Sequence, residues 1–281
     1  MAWSMINSTF LANRTTAGTS LTSGAVTNTV EAGNAHIIAI ALDNTGTSDG
    51  DNGEVTSVTD STGANTYNKL GEFTNANGSA GAGATASLWY SILASQLTSG
   101  AGTVTCNFSS RTAVAMMGWE ASFTAGGVIS VAGTLQTLAN DAADPGSMTV
   151  GGLSSREYLW IRVIASESNN ITALTVSGGF TTMNLSRANT GTDGTSMIVR
   201  GEYIIATATT QTSDPTLYSK DHASLFIALQ EDPASTGQPA GRRLGRLPFR
   251  PVDLGRKSQG GVWAVPSPSV ARLPGVARLA A

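Results

Sequence analysis

Charge is scarce in this chain. Asp, Glu, Lys and Arg make up 12% of its 281 residues, against roughly 25% in ordinary soluble domains. Surface helices draw heavily on Glu, Lys and Arg, so a low-charge sequence rich in Thr, Ser, Ala and Gly is expected to build short strands and turns. Cysteine is nearly absent as well. The single Cys106 excludes an intramolecular disulfide framework and a cysteine-based structural zinc site. Its neighbours in TVTCNF put Val104, Cys106 and Phe108 on one strand face, the setting of a buried, inert thiol. Histidine is limited to His36 and His222, both expected as ordinary strand-edge residues rather than catalysts. There is no Gly-x-Ser-x-Gly elbow, no phosphate loop closing in Gly-Lys-Ser/Thr and no paired-histidine metalloprotease motif, so the chain is expected not to be an enzyme and to need no cofactor. Long apolar runs are missing too. HIIAIAL and YLWIRVIA are too short for a transmembrane helix, and MAWSMINSTF has neither the basic n-region nor the apolar h-region of a signal peptide. The expectation is a soluble protein made in a cytoplasm, with no membrane partner.

What is present points to strands. The apolar fraction of 41% is enough for a core, and no segment carries a long 3.6-residue apolar stripe. β-Branched and aromatic residues between turn-forming Gly, Asn, Asp and Ser predict strands at 36–42, 55–60, 66–73, 86–93, 103–109 and 113–121. A second set is predicted at 158–166, 171–177, 180–185, 197–208, 215–219 and 223–230. In DSTGANTY, Asp60 is placed for an Asx turn and Gly63 for a positive φ, while NANGSAGAGA at 75–84 reads as an exposed loop. The two sets correspond in order: HIIAIALDN with YLWIRVIAS, VTSVTD with ITALTV, ASLWYSIL with MIVRGEYIIA, TVTCNF with PTLYS, and AVAMMGWE with ASLFIALQE. The expected fold class is therefore all-β, a jelly-roll-like β-sandwich built from two sequence-similar halves and followed by an extended irregular arm. The divisions are a first repeat at 1–123, a second at 124–232 and the arm at 233–281. Strand spacing leaves open whether the halves form two tandem sandwiches or one pseudo-symmetric one.

The arm differs chemically from the rest. Residues 233–281 carry eight basic residues against the single Asp253, a net of +7, and seven of the nine prolines. Residues 1–232 carry eight basic and 18 acidic residues, a net of −10. Proline fixes φ and removes a donor, which opposes both helix and sheet. In GRRLGRLPFRPVDLGRK the arginines Arg242, Arg243, Arg246, Arg250 and Arg256 alternate with Leu247, Phe249, Val252 and Leu254, and Trp263 follows. A purely electrostatic grip on nucleic acid has no use for apolar anchors. Docking on an acidic protein surface uses both, arginine forks for carboxylates and anchors for pockets. These ten residues are the candidate partner-docking set, and nucleic acid is disfavoured.

Other constellations are weaker. Asp43, Asp49, Asp51 and Glu54 in DNTGTSDGDNGE could offer oxygen ligands to calcium, but Gly53 and Glu54 depart from the EF-hand pattern and a solvated turn is the simpler reading. Glu120 and Glu231 hold equivalent repeat positions and are expected to share a structural role. A glycosidase would need two carboxylates roughly 5–10 Å apart in a cleft. Trp89, Trp119 and Trp160 fall inside strand patterns, where core packing is favoured over sugar stacking.

The succession AGNAHIIAIA, VTSVTDSTGANTY, ASLWYSI, TVTCNF, AVAMMGWEASF and, at the end of the second round, ASLFIALQE resembles β-sandwich modules of tailed-phage virion proteins and of some bacterial surface proteins. RRLGRLPFRPVDLGRK is similar to the C-terminal arms of small phage structural proteins. The resemblance implies a virion component, homo-oligomeric, assembled in the bacterial cytoplasm and bound to other virion proteins, the major capsid protein first. A capsid decoration or head-fibre protein is expected. The other reading is a receptor-binding protein of tail or baseplate, with a host glycan as partner.

Overall fold

The computed structural model describes residues 3–44, 46–76, 82–124 and 127–232. Among these residues sixteen strands follow one another, joined by turns and one short 3₁₀ turn at Asp193–Thr195. In the first half these are β1 (Ser4–Arg14), β2 (Gly18–Thr22), β3 (Ala35–Asp43), β4 (Val55–Asp60), β5 (Asn68–Asn75), β6 (Ala84–Ile92), β7 (Val104–Arg111) and β8 (Val114–Ser122). In the second half they are β9 (Val128–Ala143), β10 (Met148–Val150), β11 (Arg156–Glu167), β12 (Thr181–Thr182), β13 (Ser186–Ala188), β14 (Met197–Ala208), β15 (Gln211–Ser213) and β16 (Lys220–Asp232). The protein is all-β and every pairing is antiparallel.

The two halves wind alike. The first lays a five-stranded sheet, β1-β8-β3-β6-β5, over a three-stranded one, β2-β7-β4. The second lays β9-β16-β11-β14-β12, with β13 also on β14, over the pair β10-β15. Each strand of the second large sheet thus holds the place of its counterpart in the first. The missing third strand of the small second sheet is reduced to a single bridge, Thr175 to Thr216.

The two large sheets face each other, and a small sheet covers each from outside. That layering explains the two apolar runs. In β3, Ile37, Ala39 and Ala41 join the central core with Leu159, Ile161, Val163 and Ala165 of β11, while Ile38, Ile40 and Leu42 face the three-stranded sheet with Val58, Cys106 and Phe108. Residues Ala35–Leu42 are all fully buried. A strand covered on both faces loses alternation and reads as continuous apolar sequence. The centre favours small side chains, Ala39, Ala41, Ala86, Ala115, Ala165 and Ala223, which let the large sheets approach closely.

Some boundaries differ from the predicted ones. The edge strands β1 and β9 were not predicted, because an edge strand half open to water carries no unbroken apolar run. The predicted strand at 171–177 is only the Thr175 bridge, that at 180–185 shrinks to Thr181–Thr182, and that at 215–219 is replaced by β15 at Gln211–Ser213 and the bridge at Thr216. The chain there is held by buried polar groups, which leave no strand pattern in the sequence.

Candidate functional site

The deepest chemistry among the described residues lies where the ends of β11 and β16 meet the loop before β6. Glu167 closes β11, and its Oε2 accepts from the Gly83 backbone N–H at 2.5 Å. That bond ties the second half to the first. Beside it Lys220, the first residue of β16, pairs with Asp193 at 2.8 Å. Asp193 also accepts from the Asn169 backbone N–H at 2.8 Å. Ala82, Glu167, Asp193, Gly194, Ser219, Lys220 and Asp221 line an open cleft of about 340 Å³.

The carboxylates in and behind this cleft are not equivalent. Burial, opposed by the Gly83 N–H but reinforced by the charges of Asp221 and Asp43, pushes Glu167 up to about 7. Burial likewise raises Asp43 to about 6, against the attraction of Arg111, and its Oδ1 is buried with no hydrogen-bond partner. Asp193 is held below its ordinary value, first by the hydrogen bond from Lys220. At neutral pH the site therefore carries a carboxyl near half-protonation next to an ionised, already neutralised one. A split of that kind can serve acid–base chemistry. Among the described residues no aromatic side chain lines the cleft, so these residues offer a sugar no stacking platform. Glu167 can take up or release a proton near pH 7.

The other candidates occupy different places. Both histidines are interior residues, not strand-edge ones, and both are fully buried. His36 lies on the central strand β3, with Nε2 2.9 Å from Thr9 Oγ1 and Nδ1 2.8 Å from Tyr67 OH. Burial holds it down to about 3. His222 donates from Nε2–H to Tyr218 O at 3.0 Å, so Nδ1 accepts from Ser166 Oγ at 2.7 Å. A hydroxyl next to an imidazole has the form of a nucleophile and its base, yet Ser166 is also fully buried and no substrate can reach it. Burial lowers His222 to about 4, which keeps the ring neutral.

The acidic stretch is dispersed rather than gathered. Asp49 accepts from the Ala76 N–H, Asp51 from the Gly53 N–H and Lys69, and Glu54 pairs with Arg111. No group of three or more acidic, histidine or cysteine side chains among the described residues could hold a metal ion. Glu120 accepts from the Glu31 N–H and Asn34 Nδ2 at 2.9 and 2.6 Å, whereas Glu231 Oε2 is buried without a partner. The two equivalent positions therefore do different work. Trp89, Trp119 and Trp160 are at most 7% exposed and belong to the core. Burial pushes the Cys106 thiol up to about 12, so it is inert. Arg242, Arg243, Arg246, Leu247, Phe249, Arg250, Val252, Leu254, Arg256 and Trp263 lie outside the described residues.

The Glu167 cleft was missed in sequence. Its members come from four separated stretches, and the only local signal was an acidic residue ending each of two apolar strands. No family model matches the chain, and no curated protein and no solved structure is similar to it.

Proposed function

We propose that this protein is a non-enzymatic structural component of a tailed-phage virion, a capsid decoration or head-fibre protein carried in many copies and fastened through residues 233–281. The observation that carries the reading is the division of charge: −10 over residues 1–232 and +7 over 233–281. A body of that sign repels other acidic surfaces and stays in solvent, while arginines interleaved with Leu, Phe and Trp suit an acidic protein neighbour. A stack of antiparallel sheets with buried tryptophans suits a passive module. Many weakly attached copies on a shell gain from avidity. The receptor-binding reading loses its main support, since Trp89, Trp119 and Trp160 offer no surface on which a glycan could stack.

The test is the variant with Arg242, Arg243, Arg246 and Arg250 replaced by Ala. It should fold with the wild-type melting temperature and be lost from purified particles. Incorporation at wild-type copy number would refute docking through the arm.

A further inference from the structure

Four sheet edges bound the two large sheets, and three of them are sealed. β1 is covered by side chains and a loop: Asn28 Nδ2 donates to Ser8 O, the Thr27 N–H and Oγ1 both donate to Thr9 O, and Ser186 Oγ donates to Ala12 O. β5 carries Lys69 and Glu72, and the Gly50–Thr74 bridge runs along it. β12 and β13 are two and three residues long. These are the devices by which natural sheets avoid adding a foreign strand.

β9 is the exception. It is the longest strand among the described residues at 16 residues, about 50 Å of edge. Among the described residues it pairs only with β16, and residues 128–140, VISVAGTLQTLAN, carry no charge. Among the described residues no other element bonds to the backbone of residues 130–139 beyond that ladder. Gly133, at φ 74°, marks a bulge between the pairs Phe226–Gln136 and Ala228–Ala132, itself an edge-blunting device, so the open edge is the stretch on either side of it. Val128 and Val131 are 56% and 39% exposed; Ile6 and Leu11 of β1 and Ile171 are the other large apolar side chains that reach solvent among the described residues.

We propose that two copies of this chain pair β9 to β9, antiparallel across a two-fold axis, so that their six-stranded sheets join. The partner is argued from charge. A body with a net of −10 repels its own copy over most of its surface, but an uncharged strand can meet itself without like-charge contacts. An antiparallel strand pair is also self-complementary under a two-fold axis, the commonest symmetry of soluble oligomers. The inference concerns the body alone and does not rest on the virion role.

The experiment is sedimentation velocity on the full chain from about 1 to about 100 µM, a range that brackets a weak to moderate dimer. The wild type should shift from monomer to dimer. Val131→Lys combined with Thr137→Lys, both exposed positions, should raise the dissociation constant about tenfold or more, because each lysine faces its own copy or a near neighbour. Leu11→Lys on the sealed edge β1 should leave it unchanged. A wild type monomeric throughout, an unaffected lysine variant or an equal effect of Leu11→Lys would each overturn the proposal. Should the double variant fail to fold, single-cysteine variants V131C, T134C and T137C decide instead, since Cys106 is buried. At least one should form an oxidised dimer, and none doing so overturns the pairing.

Discussion

Between the two large sheets and their small outer sheets lie two cores of similar position and different chemistry. In the first half the outer sheet has strands of five, six and eight residues. It is held by apolar burial: Ile38, Ile40, Leu42, Trp89 and Met116 pack on Leu21, Val58, Cys106 and Phe108. In the second half the outer strands β10 and β15 have three residues each, too few to bury comparable area. Trp160, Phe226, Met148 and Val150 form a smaller cluster, and charge takes over beside it. Arg162, fully buried in the middle of β11, donates to Gly146 O, Ser213 O and Pro145 O at 2.7, 3.0 and 2.8 Å. Opposite it on β14, Glu202 accepts from the Ser177 N–H and Oγ and from Ser213 Oγ. Burial lowers Arg162 to about 10 against the charges of Glu202, Asp214 and Asp144, so it stays charged. The contrast teaches that where strands are too short to bury apolar area, a buried arginine and glutamate can fasten the covering layer by binding its carbonyls, N–H groups and hydroxyls.

The largest expected effect comes from breaking that fastening. Arg162→Met should cost about 3–5 kcal/mol in denaturant unfolding, since it leaves Glu202 as an uncompensated buried charge. Arg162→Met with Glu202→Met should recover part of the loss, because matched apolar replacement of a buried ionic network is tolerated better than removal of one partner. In the first half, Ile40→Val should cost only about 0.5–1.5 kcal/mol. If Arg162→Met costs no more than Ile40→Val, the two outer cores are held alike and the comparison fails.

A smaller effect is expected at Glu167, which joins the halves. Its folded pKa of about 7 lies above its ordinary value of 4.5. The folded state therefore holds the proton more tightly, and this contribution to stability is complete below about 4.5 and lost as pH rises through about 7. Glu167→Gln imitates the protonated form and can still accept from the Gly83 N–H. Its melting temperature relative to wild type should rise between pH 5 and pH 8 by about 2–4 °C, the size of ~1 kcal/mol in a body of this length. His36 and His222 act in the opposite sense, losing stability as pH falls, but do so equally in both proteins and cancel. A difference that does not change with pH would show that Glu167 is an ordinary solvated carboxylate.

Sequence conveyed the interior better than the edges. The central strands β3, β6, β8, β11, β14 and β16 were legible because they are buried on both faces and apolar side chains fill the inner one. The correspondence of YLWIRVIAS with HIIAIALDN even contained the layering, since only a strand covered on both sides tolerates so unbroken a run. β1 and β9 were not legible, because a strand at the end of a sheet is not buried on both faces and carries no unbroken apolar run. Nor was the second outer sheet, where Arg162, Glu202, Ser177 and Ser213 sit far apart in sequence and each alone looks like a surface residue. The Glu167 cleft failed for the same reason: strand ends converge only once the sheets are stacked.

Cross-linking mass spectrometry on intact native particles would show whether residues 233–281 fasten the chain as proposed. Links from Lys257 and the segment around it should lead to the major shell protein. Links to tail or baseplate chains instead, with none to the shell, would contradict the decoration role.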